Sequence, residues 1–126
     1  MLSGCEAWWN KPEDRAQAFI EAFIYAPSET AKLRDIAQLP AERNPQELVE
    51  GLGARVALDF LRAKQAQGIQ LNLVQSAVKH SDASHRIISI RVTDASSVAA
   101  VNKDVVFQVY MEKNQQNPWR IVRVTH

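Results

Sequence analysis

The chain has a single cysteine, Cys5, so no internal disulfide is available and the fold must hold by packing. Neither sign of charge predominates. Fifteen basic residues against fourteen acidic ones give a net charge of +1, and no run of lysine or arginine interleaves with aromatics, which argues against nucleic-acid binding. No apolar run approaches the roughly 20 residues that span a bilayer. Glycine is scarce. The one Gly-x-Gly fragment, Gly51-Leu52-Gly53, lacks the preceding strand and the third glycine of a dinucleotide-binding fingerprint. No serine or cysteine stands in a recognisable nucleophile setting, which leaves hydrolase chemistry without support. At 126 residues the chain makes one domain able to bury roughly two-thirds of its unfolded surface.

What is present divides at Gly68: apolar residues recur at helical spacing before it and alternate with period two after it. The spacing predicts a first helix from Pro12, which suits a first turn, with Glu13 and Asp14 complementing the helix dipole. Its buried stripe is Ala16, Phe19, Ile20, Phe23 and Ile24, and Pro27 ends it. Ser28 is the candidate cap of a short second helix bearing Leu33, Ile36 and Leu39 before Pro40. Asn44-Pro45-Gln46-Glu47 reads as a third start signal. The longest helix follows, with a buried stripe expected at Leu48, Leu52, Val56 and Phe60, joined by Val49 and Leu61, and with Gly68 as its stop. Gly51 and Gly53 each cost up to about 1 kcal/mol inside a helix. Either the helix breaks there and its body begins near Ala54, or the glycines admit a closely approaching element.

Four strands are predicted after Gly68. Ile69 to Lys79 begins in alternation and then shifts phase to Val74 and Val78, which implies a bulge or bend. Arg86 to Thr93 places Ile88, Ile90 and Val92 on one face, with Ile87, Ser89, Arg91 and Thr93 on the other. Lys103 to Lys113 places Val105, Phe107, Val109 and Met111 against Val106, Gln108, Tyr110 and Glu112. Trp119 to Thr125 closes the chain. The linkers are short enough for hairpins, so the fold class is α+β: three N-terminal helices packed on a bent four-stranded antiparallel sheet.

At the N-terminus, Leu2-Ser3-Gly4-Cys5 resembles a bacterial lipobox. In that family of signals a peptidase cuts before the cysteine and the thiol carries a lipid, so the resemblance implies a membrane tether through Cys5. Only Met1 to Gly4 precede it, whereas a secretory signal needs a charged start and roughly 7–15 apolar residues. The chain is therefore expected to be a shortened or mis-started version of a longer precursor; the competing reading is a chance cysteine. Residues 1–11 are then a lipobox remnant and tether, and residues 12–126 the domain. Glu6 after the cysteine, rather than aspartate, implies by the same resemblance the outer membrane over the inner, facing the periplasm. Trp8 and Trp9 suit a headgroup interface or else pack on the domain.

Three helices followed by a bent meander are similar in order to the nuclear transport factor 2-like superfamily, the cystatin-like cone in which helices fill a curved sheet. The closing segment Val109-Tyr110-Met111-Glu112-Lys113-Asn114-Gln115-Gln116-Asn117-Pro118-Trp119-Arg120-Ile121-Val122 resembles that family's final hairpin. With Cys5, the chain looks most like the small lipid-anchored envelope proteins of that superfamily. The resemblance implies a hollow between helices and sheet, with Phe19, Phe23, Val56, Phe60, Ile90, Phe107 and Val109 as its expected lining. It also implies association through the outer sheet face, with Ile87, Arg91, Val106 and Tyr110 as the expected interface of a homodimer or an envelope protein partner.

Enzymes of the superfamily work with an aspartate or histidine inside the cone, backed by a tyrosine or acid. Asp59 and Tyr110 are the nearest match, but Tyr110 is out of phase with the apolar face and Asp59 is expected to face water. His80 and His85 flank a turn with Asp82 at its tip, a set able to bind zinc or copper. Ser81-Asp82-Ala83-Ser84 is also an ordinary turn, so no metal and no cofactor are expected. The expected function is a non-catalytic, lipid-anchored binding or assembly module for a partner protein or small apolar ligand. The alternative is an isomerase-like or lyase-like enzyme with a pocket between helices and sheet.

Overall fold

The computed structural model describes residues 11–49, 51–81, 84–94, 105–113 and 119–126. Helix α1 (Pro12–Tyr25) begins with proline and carries Glu13 and Asp14 in its first turn, as its start signal requires. Ala16, Phe19, Ile20, Phe23 and Ile24 are all buried. Ala18 and Ala22 are buried as well, so α1 is covered on more of its circumference than a single stripe. Two polar hooks tie its start to the sheet. Gln75 donates to Asp14 Oδ1 and Gln17 Oε1, both at 2.8 Å, and Arg86 pairs with Glu13 at 2.9 Å.

Helix α2 (Thr30–Ala37) buries Leu33, Ile36 and Ala37. It starts one residue later than a Ser28 cap requires: Glu29 occupies the cap position and no side chain closes the first turn. It ends at Gln38, a left-handed residue (φ 58°) whose neighbour Leu39 returns an amide to Arg34 O. The end of α2 also engages Arg15, which is 2% exposed and donates to the carbonyls of Asp35 and Ile36. Burial lowers the Arg15 pKa, and the nearby Asp35 carboxylate partly offsets this.

The start signal at Asn44 produces a 3-10 turn (Pro45–Leu48), capped by the Asn44 side chain accepting from the Gln46 amide. The chain then leaves helical geometry. Val49 forms a parallel bridge to Val124, and Gly51, at φ +85°, serves as the cap from which α3 (Leu52–Ala66) departs. The long helix is therefore broken at the glycines, and α3 buries Ala54, Ala57, Leu58 and Leu61. The expected stripe is corrected on this point: Leu48 and Val49 are buried ahead of the break, while Leu52, Val56 and Phe60 face outward. A restart at Gly51 sets the phase of α3 independently of the turn before it. Gly68, again at φ +85°, ends the following turn, and Ile69 N donates to Lys64 O.

Strands β1 (Leu71–Ser81), β2 (His85–Asp94), β3 (Val105–Glu112) and β4 (Arg120–Thr125) form an antiparallel sheet in sequential order. The expected facing holds in β2 and β3: Ile88, Ile90, Val92, Val105, Phe107, Val109 and Met111 are buried towards the helices. In β1 the alternation runs straight through Val74, which is exposed, and the register shift comes later, between Ala77 and Ser81. The side chain of Val78 lies outside the described residues. A second shift lies in β3–β4, where Tyr110 pairs with Arg123 but Met111 with Ile121, leaving Val122 as the extra residue. Trp119, just before β4, is buried beneath Arg86 and Lys113, 5.1 and 5.8 Å from its ring centre.

Candidate binding surfaces

Packing decides first where recognition is possible. Phe19, Ile90, Phe107 and Val109 are each fully buried, and Phe23 lies against Phe19 with ring centres 5.4 Å apart. The expected pocket lining is thus not brought together. Those four residues are core, Phe23 reaches a cleft among the helices, and Val56 and Phe60 lie on the outside of α3.

That outer side of α3 is an apolar ledge. Leu52, Val56 and Phe60, spaced four apart, are 78%, 56% and 45% exposed, and with Gly53, Ala57, Val105 and His126 they line one open surface. Lys64 lies 4.9 Å from the Phe60 ring centre. The ledge adjoins Val105, at the start of β3.

The outer sheet face carries the expected interface residues. Ile87 pairs with Tyr110, and Arg91 with Val106, on the side opposite the helices. Arg123 stacks over the Tyr110 ring at 4.0 Å, and the phenol donates to Gln108 Oε1 at 3.4 Å. At one end of this face Arg120 donates to Glu112 Oε1 at 2.6 Å, and His85 Nε2 lies 3.9 Å from Glu112 Oε2. The hydrogen bond from Arg120 holds the Glu112 carboxyl below its ordinary pKa. A carboxyl depressed on folding stabilises above its unfolded pKa of about 4.3 and loses that contribution as pH falls through its folded value. Glu112→Gln should therefore lower the urea midpoint near pH 7 and leave it close to wild type at about pH 2, a convergence that parallel denaturation curves will show.

Asp59 and Tyr110 do not converge. Asp59 is on α3, 3.2 Å from Arg62 and largely exposed, while Tyr110 is on the far face of the sheet. His85 is exposed and shares its Nδ1 with Ser84 Oγ at 3.0 Å. The His80 side chain and Asp82 lie outside the described residues, as do Cys5, Trp8 and Trp9. Among the described residues no group of three His, Cys, Asp or Glu side chains is placed to hold a metal ion. No helix among them is long and apolar enough to cross a membrane.

Arg15 is the side chain that sequence reasoning passed over. Its signal was present, since it falls four before Phe19, on the inward side of α1. Compared with protein-family models and with curated proteins, the chain matches none.

Proposed function

We propose that this protein is a non-catalytic binding or assembly module of the bacterial cell envelope, tethered through a lipid on Cys5, within a nuclear transport factor 2-like fold. The ledge on α3 is the observation that carries the binding half: three large apolar side chains, Leu52, Val56 and Phe60, stand in water side by side. The order of helices and antiparallel strands supports the fold resemblance, and Leu2-Ser3-Gly4-Cys5 supports the tether. The occupant proposed for the ledge is an apolar surface of a partner envelope protein. A photo-crosslinking residue at position 56 in living cells should yield one discrete adduct, lost with Phe60→Asp and absent when the probe replaces exposed Ala66. Equal labelling from both positions would reject the ledge as the docking surface.

A weak homodimer through the outer sheet face is the second arrangement, favoured by Ile87, Val106 and Tyr110 lying on a face that no described helix covers. Arg91 and Arg123 beside them would meet their own copies, which limits its strength. Light scattering at high micromolar concentration should show dimer that Tyr110→Glu abolishes; monomer throughout would remove this arrangement.

A further inference from the structure

Between the end of α1, the 3-10 turn and α3 lies a cleft of about 310 Å³ to which no described residue of β1 to β4 contributes. Its apolar floor is Phe23, Val49 and Leu58, all buried. Four charged residues line it, but they are not equivalent. Glu47 is engaged by Arg43 at 3.4 Å and Asp59 by Arg62 at 3.2 Å, so two charges of each sign are spent within the protein. Arg55 is left. Its Nε donates to Val49 O at 3.4 Å, which fixes the side chain along the cleft wall. Its two terminal nitrogens have no partner among the described residues.

A guanidinium held by Nε presents its remaining fork as a planar pair of donors, which matches a carboxylate better than a point cation does. An apolar floor beside it suits a short hydrocarbon body. The volume is at the lower end for ligand clefts and accommodates on the order of ten water-sized atoms at about 30 Å³ each. We infer that this cleft binds a small monocarboxylate with a compact apolar body, its carboxylate on Arg55 and its body on Phe23, Val49 and Leu58. The inference concerns a site separate from the ledge and depends on neither the tether nor a protein partner.

Octanoate, with about ten non-hydrogen atoms, is the probe, titrated by two-dimensional NMR at low ionic strength against the full chain. Saturable shifts confined to residues around the cleft are expected. Arg55→Gln, at an exposed helix position, should weaken binding by about 10-fold with an unchanged melting temperature, and octanamide should be weaker by a similar factor. Asp59→Asn should tighten binding several-fold, because it frees Arg62 to face the same anion. Binding of octanoate that is unchanged in Arg55→Gln, equal binding of octanamide, or no saturation up to about 10 mM would each overturn the assignment.

Discussion

Truncation of Phe107 to alanine is expected to destabilise the domain by about 3–5 kcal/mol, whereas Val56→Ala is expected to change stability by no more than about 0.5 kcal/mol. Both residues sit in apolar patterns of similar strength in the sequence. Phe107 is fully buried between helices and sheet, so removing its ring leaves a cavity whose neighbours, in regular strands and helices, collapse only partly. Val56 is more than half exposed on α3, where alanine is the better helix former. Urea denaturation with a common m-value measures both. A Val56→Ala loss of several kcal/mol would return that side chain to the core and remove the ledge.

The second large effect is expected at Arg15. Arginine is rarely buried unless its donors are used, and here Nη1 closes the end of α2 by reaching the carbonyls of Asp35 and Ile36, while the buried Nε has no hydrogen-bond partner among the described residues. Arg15→Ala removes both hydrogen bonds of Nη1 and the buried stem, and a loss of about 2–4 kcal/mol follows. Arg15→Met restores most of the volume without the donors and should recover only part of that loss, leaving a deficit of about 1–2 kcal/mol. Full recovery by methionine would show that α1 and α2 are joined by packing alone.

Why α1 was legible and α3 was not is a matter of continuity. Between Pro12 and Tyr25 one helix runs without interruption, so the apolar spacing reports one face, and that face is inward. From Leu48 to Phe60 the same spacing crosses Gly51, where the backbone leaves helical geometry. The four-residue rhythm of Leu52, Val56 and Phe60 is real, but after the restart the core is met by Ala54, Ala57, Leu58 and Leu61 instead. Two of these four, Ala54 and Ala57, are small and gave the inward face little hydrophobic contrast. In β1 the tripeptide Leu71-Asn72-Leu73 already carried the true alternation, and Val74, an exposed β-branched residue on the outer face, mimicked a phase change.

The candidate site was legible only in part. Alternation correctly put Tyr110 out of phase with the apolar face, and Asp59 faces water as expected. Arg55 and Arg62 are indistinguishable by spacing from Asp59, which lies four residues from one and three from the other. The ion pair forms with Arg62, and that choice, fixed by side-chain geometry, leaves Arg55 without an ion-pair partner among the described residues.

Intact-mass spectrometry of the protein recovered from bacterial membranes, after expression from its own gene, tests the lipid-tethered module most directly. A diacyl or triacyl adduct on Cys5, with Cys5 as the first residue of the mature chain, is the expected result. An unmodified Cys5 thiol, or recovery of the protein in the soluble fraction, would contradict it.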